Sequence, residues 1–357
     1  MSKNDLHFFA SMNTANGFQS YFNEIFDPKH YNRIFILKGG PGSGKSSLMK
    51  RIANEAEERN GSVERFFCSS DPNSLDAIIL KEKNIAILDG TSPHLADPSF
   101  PGIIENIVNL GSFWDVKKLI PYKNEIFKLI QEKKSAYQSA YQFLKAYGKV
   151  IEEIFAYSKK ALNDQKMIHN IRIQCKYFFK DEEENETKIR NIATICKDGI
   201  CKFETFEKES DKIWIVDDYM FTGFSYMDAL ELYAKQRNQS YFKSISPRSP
   251  NHINAIYFPK AKTSFILGKR DYDEEIAGKE YHYINMKRFL DIDKISQGKK
   301  KIKFAVKCSD ELFNGATQAL KEAALKHEML EQYYVSAMDF QKIDHIQNEI
   351  SREIFRS

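Results

Sequence analysis

Gly39, Gly40, Pro41, Gly42, Ser43, Gly44, Lys45, Ser46 and Ser47 form the stretch whose residue types and spacing point most directly to chemistry. Glycines permit a backbone curl that most side chains obstruct. Such a curl turns successive N–H groups inward as an anion nest, backed by the positive end of a following helix. In that setting Lys45 reaches the β- and γ-phosphates of a nucleotide, and the Ser46 hydroxyl is the expected Mg²⁺ ligand. The pattern has meaning only between a strand and a helix. Ile34–Leu37 reads as a buried strand before it, and Leu48, Ile52 and Ala56 mark the inner face of a helix after it.

An acid follows at the right distance. The run Asn84–Gly90 reads as a buried strand ending in Asp89, the expected second Mg²⁺ ligand. No glutamate comes next, only Gly90, Thr91 and Ser92, so a general base has to come from elsewhere. Asp71, just past the strand Val63–Cys68, is the candidate for orienting an acceptor or water. A turn role in Asp71-Pro72-Asn73-Ser74 is the competing reading. Asp76 is read as solvent-facing or helix-capping. His94 and Asp97, in the Pro/Gly-rich loop Asp89–Gly102, are candidates for substrate contact or γ-phosphate sensing, set against a plain irregular loop. The catalytic set is therefore Lys45, Asp89 and Asp71; ATP falls on Gly39–Ser47 and Mg²⁺ on Ser46 and Asp89.

The elements that must hold these residues come in two sets. The 357 residues suffice for two domains. Lys and Arg total 53 against 49 Asp and Glu, a net charge of +4 that does not point to nucleic acid. The N-terminal stretch has no apolar core of signal-peptide length, and no apolar run reaches membrane-spanning length; a cytoplasmic protein without a membrane span is expected. Five scattered cysteines predict reduced thiols, with no zinc site at Cys196 and Cys201. From Gly111 to about Asp181 the pattern is helical, with Tyr137, Tyr141, Phe143, Tyr147 and Phe155 as a packing stripe. Lys117, Lys118, Lys133 and Lys134 read as a solvated face rather than a phosphate lid. The charge run Lys180–Lys188 reads as a linker.

Shifting the chain by 179 residues lays Asn32–Met49 on Asp211–Asp228, so that Ile34, Ile36, Gly44 and Ser46 meet Ile213, Ile215, Gly223 and Ser225. Later matches keep the same order, Ala140, Gln142, Leu144 and Lys145 falling on Ala316, Gln318, Leu320 and Lys321. This is the signature of a tandem duplication. Ala10–Phe18 and Ala193–Ile200 are expected to open the two copies. The second copy has Phe224 for Lys45, Leu267 for Asp89, Ser249 for Asp71, and Asp218 and Phe221 for Gly39 and Gly42. It is expected to have lost nucleotide binding.

The stretches Arg33–Lys50, Cys68–Asp76, Ala86–His94 and Asn109–Asp115 resemble an uncharacterised bacterial family of tandem P-loop proteins, labelled ATPases or nucleotide-kinase-like. The resemblance implies ATP and Mg²⁺ at Gly39–Ser47 and no established substrate. The family's second half often keeps its own P-loop; this chain's does not.

The expected architecture is α/β: two tandem P-loop NTPase-like three-layer α/β/α units, each with a helical extension. The first spans 1–182 and the degenerate second 183–357, forming an intramolecular pseudo-dimer. Arg248 or another basic residue of the second half is a candidate arginine finger toward the first site. The expected function is Mg²⁺-dependent ATP hydrolysis at a single site. The alternatives are a kinase for a nucleoside, nucleotide or other small molecule, and a nucleotide-gated module that recruits a protein partner.

Overall fold

The computed structural model describes residues 5–93, 96–176, 178–179, 186–268, 276 and 278–356. His94 and residues 180–185 of the expected linker lie outside them. The first half builds strands β1 (Asp5–Phe8), β2 (Arg33–Lys38), β3 (Val63–Phe67), β4 (Leu75–Leu80), β5 (Ile85–Asp89) and β6 (Glu105–Asn109). The second builds β7 (Thr187–Ile189), β8 (Lys212–Asp217), β9 (Tyr241–Ile245), β10 (Ile253–Phe258), β11 (Thr263–Gly268) and β12 (Glu280–Ile284). The larger helices are α1 (Lys45–Glu58), α2 (Lys123–Lys159), α3 (Asp164–Cys175), α4 (Gly223–Gln236), α5 (Lys299–Ala337) and α6 (Phe340–Phe355).

The sheets run β1-β3-β4-β5-β2-β6 and β7-β9-β10-β11-β8-β12, one order repeated. Neighbours are parallel except around β4 and β10, each antiparallel to both of its partners. Even a register irregularity recurs, at Phe66/Phe67 and at Ser244/Ile245. Each sheet is thus mixed. The Asp71–Ser74 turn, closed by Ser74 N–H donating to Asp71 O and Cys68 N–H to Ser74 O (both 2.9 Å), sends the chain back as β4. A tight return of this kind can only make an antiparallel neighbour. Each sheet also starts earlier than expected, at β1 and β7; the segments after Ala10 and Ala193 form hairpins instead (Ser11–Thr14 with Gly17–Ser20, and Ala193–Cys196 with Gly199–Lys202).

The layering differs from the expected α/β/α. One apolar cluster joins the inner faces of both sheets: Phe8, Ile34, Ile36, Phe66, Ala77 and Leu88 with Ile213, Ile215, Ala255 and Ile266, together with Phe22 and Phe206 from short helices. The larger helices cover the outer faces. Alternation along β2 explains it, since Ile34 and Ile36 point to the opposite sheet while Phe35 and Leu37 point to α1. A buried ion pair, Arg190 Nε to Glu64 Oε2 at 2.7 Å, ties the sheets together.

The outer helices are exchanged between halves. Helix α6 lays Ile343, Ile350 and Ile354 on the first sheet beside α1, and α3 lays Met167, Ile171 and Cys175 on the second beside α4. The arms α2 and α5 carry the chain across in opposite directions, packed through Ala140 and Leu144 against Ala316 and Leu320. Each arm is fastened where it lands. Asp115 N–H donates to Ala337 O at 2.8 Å, and the equivalent Asp291 N–H donates to Ala161 O at 2.9 Å. The packed bodies therefore do not follow the division of the sequence into halves.

Cys196 and Cys201 are not free thiols. The hairpin register sets Cys196 opposite Gly199 and Cys201 opposite Thr194, which leaves the two sulfurs diagonally adjacent, and a disulfide joins them. Cys68, Cys175 and Cys308 are free. No helix among the described residues is long and apolar enough to cross a membrane.

Candidate functional site

Strand β2 delivers the chain into the Gly39–Gly44 loop, and α1 leaves it, burying Leu48, Met49, Ile52, Ala53 and Ala56. Gly42 and Gly44 have φ of 66° and 79°, in the left-handed region that disfavours side chains. A Cβ on Gly39 would stand 2.6 Å from Ser43 Oγ, and one on Gly40 2.9 Å from the Trp114 ring. The loop is thus closed from both sides.

Lys45 Nζ donates to the carbonyls of Gly39 (2.6 Å) and Gly40 (2.9 Å) and stands 3.5 Å from Asp89 Oδ2. Asp89 reaches it because β5 lies beside β2, with Leu37 paired to Asp89 in register. Asp89 Oδ1 accepts from Thr91 N–H at 2.8 Å and from the Thr91 hydroxyl. Burial raises the Asp89 pKa, while Lys45 pulls it down. Ser46 Oγ accepts from Leu75 N–H at 2.9 Å, which ties the first turn of α1 to β4. Pro41 is half-buried, Ser43 is buried and hydrogen-bonded to Gly40 O at 2.8 Å, and Ser47 is exposed.

Asp71 is exposed and its Oδ1 accepts from Asn73 N–H at 3.1 Å, the local turn contact that competed with a catalytic role. Asp76, expected at the surface, is buried on β4, and its charge helps raise the pKa of Asp89. Asp97 is exposed and ion-paired with Lys38 Nζ at 3.1 Å.

Further residues of the site come from the arms. Glu331 of α5 accepts a hydrogen bond from Gly42 N–H at 3.1 Å, across almost the whole length of the chain. A Cβ on Gly42 would lie 2.7 Å from Val335 Cγ2 and 3.1 Å from Glu331 O, so the arm rests directly on the loop. His327, one turn before Glu331, hydrogen-bonds Lys133 of α2 at 3.4 Å. Burial lowers the His327 pKa and the Lys133 cation lowers it further; Glu331 and Asp71 act in the opposite sense and Lys45 in the same one. Burial also lowers the pKa of Lys133, which is half-buried rather than on a solvated face. Lys117 and Lys134 are exposed, as expected, and Lys118 is exposed and bonded to Ser336 O at 3.5 Å. Of the aromatic stripe, Tyr137 and Tyr141 pack beside Ala140 and Ala316, and Tyr147 and Phe155 pack near the second loop.

That second loop has the same frame and opposite chemistry. Phe224, Phe221 and Leu267 cluster with Ile151 and Phe155 of α2, and Phe224 stacks on His252 at 4.8 Å. Buried Asp218 faces Arg248 at 3.5 Å. Arg248 is thus engaged within the second unit.

Among described residues no three His, Cys, Asp or Glu side chains gather as a metal cluster. A Mg²⁺ held by Ser46, Asp89 and phosphate oxygens would require none.

The family described as Nephrocystin 3, N-terminal matches residues 18–81, from the first hairpin to the end of β4. Two curated Staphylococcus aureus proteins, one from strain MRSA252, are similar to the chain; both are described as an uncharacterized chromosomal cassette SCCmec type IVc protein. Each is 28% identical over 184 residues, covering 50% of this chain and 25% of the relative. The chain therefore spans about a quarter of the length of these relatives. No solved structure matches.

Proposed function

We propose that the chain binds ATP with Mg²⁺ at one site, the loop Gly39–Ser47, and hydrolyses it slowly. The observation that carries this reading is the loop itself. It is held between strand and helix, Lys45 lies 3.5 Å from Asp89, and the Gly42 N–H is already bonded to an anionic oxygen at 3.1 Å. That carboxylate oxygen stands in for a phosphate oxygen, so the loop presents its backbone to anions as a phosphate nest does.

On this reading the loop N–H groups and Lys45 bind the phosphate tail, and Ser46 and Asp89 are the protein's ligands to Mg²⁺. The metal, when bound, supplies charge neutralisation on the phosphate oxygens. Lys45 gives up its carbonyl contacts to reach the phosphates, and the Trp114 ring packs beside Gly40. The second loop takes no nucleotide, because Phe224 and Leu267 stand where Lys45 and Asp89 stand in the first and are packed into an apolar cluster.

A kinase reading is favoured by one feature. Asp89 is capped by Thr91 and followed by no acid that would activate water.

The test is calorimetric titration of the full chain with ATP and Mg²⁺, together with phosphate-release and ADP-release assays. One binding event per chain is expected, lost in Lys45→Ala. No binding by the native chain, or binding unchanged in Lys45→Ala, refutes the site. ADP release that appears only with an added phosphate acceptor would replace hydrolysis by the kinase reading.

A further inference from the structure

We propose that Glu331 is a tethered anion of the first loop: its carboxylate occupies the Gly42 N–H until a phosphate displaces it, so nucleotide occupancy is coupled to the arm α5. The inference rests on the phosphate-site reading above and extends it to the opposite half of the chain.

Three observations carry it. The contact joins a carboxylate to a loop N–H at 3.1 Å, with the α5 backbone close enough to leave no room for a Gly42 side chain. Glu331 and His327 are four residues apart on one helix and so share a face. That face meets Lys133 at 3.4 Å, placing a second basic group near the loop besides Lys45.

The third observation is a control within the chain. With the arms aligned at their shift of 176 residues, His327 and Glu331 correspond to Ile151 and Phe155 of α2. Those two pack on the second loop, where Phe224 replaces the lysine and Leu267 the aspartate. The arm positions thus face the loop in both units, polar where the loop is polar and apolar where it is apolar. Glu331 is therefore matched to the loop's chemistry and is not an incidental surface acid.

A phosphate reaching Gly42 N–H has to remove Glu331, since two anions cannot share one donor at hydrogen-bond distance. His327 and Lys133 then face the phosphate that has taken its place. Removing the Glu331 charge should strengthen binding of the phosphate tail, since exchanging a charge-assisted hydrogen bond for a neutral one corresponds to about tenfold in affinity.

The experiment compares the full native chain with Glu331→Gln and with Gln332→Ala, an exposed neighbour on the same arm. Titration with ATP and Mg²⁺ is expected to give about tenfold tighter binding for E331Q and no change for Q332A; unchanged or weaker binding by E331Q overturns the proposal. Hydrogen exchange at Gly42 is read without nucleotide. Protection of that amide in the native chain, lost in Glu331→Ala, which offers no side-chain acceptor, supports the latch, and equal exchange in these two overturns it. If ATP binds to neither protein, the nucleotide reading fails by itself, and the Gly42 exchange still decides whether Glu331 holds the loop.

Discussion

Replacing Asp218 by asparagine is expected to stabilise the protein by an amount that depends on pH. The Asp218 side chain is 12% exposed, its ion partner Arg248 lies at 3.5 Å, and its Oδ1 has no hydrogen-bond partner among the described residues. Burial pushes its pKa from 3.8 up to about 6, with Arg248 opposing and Asp217 adding repulsion. Below pH 3.8 the folded and unfolded chains both hold the proton, and the site costs nothing. Between that pH and about 6 the unfolded chain ionises first, so stability falls as pH rises. Above it the full cost persists: about two units at about 1.4 kcal/mol each, or about 3 kcal/mol.

Asp218→Asn removes that cost and also the pairing with Arg248, whose side chain is 40% exposed and can be rehydrated. A net gain of about 1–3 kcal/mol is expected near pH 7.5, shrinking to nothing near pH 4. Urea unfolding followed by circular dichroism at pH 4, 5, 6 and 7.5 measures it. A variant less stable than the native chain at pH 7.5, or a difference that does not vary with pH, refutes the reasoning.

Other consequences concern the joins between the two units. Arg190→Ala should cost about 3–5 kcal/mol in urea unfolding, because it strands the buried Glu64 carboxylate. The double change Glu64→Leu with Arg190→Met should recover most of that loss, since no unpaired charge remains. Ile343→Ala should cost about 2–5 kcal/mol by opening a cavity between α6 and the first sheet. A loss below about 1 kcal/mol would mean that α6 is only loosely seated.

Much of the candidate site is local in sequence, and that part was legible. Gly39–Ser46 is one contiguous stretch whose spacing has a mechanism, and Asp89 ends an apolar run whose strand the structure places beside β2. The repeat in the sequence likewise foreshadowed one strand order used twice. What stayed hidden depends on contacts between distant segments. Neither His327 nor Glu331 carries a local signal, because each sits in an ordinary amphipathic helix. Only the comparison with Ile151 and Phe155 in the other arm would have marked them as polar where their counterparts are apolar. Asp76 was misread because an acid in a short apolar run suggests an exposed end, whereas β4 is covered on both faces. The exchange of α3 and α6 was equally hidden, since an apolar stripe states that a helix is covered but not by which sheet.

The exchange also sets an order of assembly during synthesis. The first sheet's strands are complete at Asn109, yet α6, which covers part of their outer face, begins at Phe340. About 230 residues separate the two, so at roughly 5–20 residues per second the ribosome needs about 12–46 s to supply that cover. Throughout that interval the nascent first sheet shows apolar surface later taken by Ile343, Ile350 and Ile354. The second sheet has no such delay, because α3 is made before its strands. The half that carries the glycine loop is therefore the half that needs protection until α6 has been made.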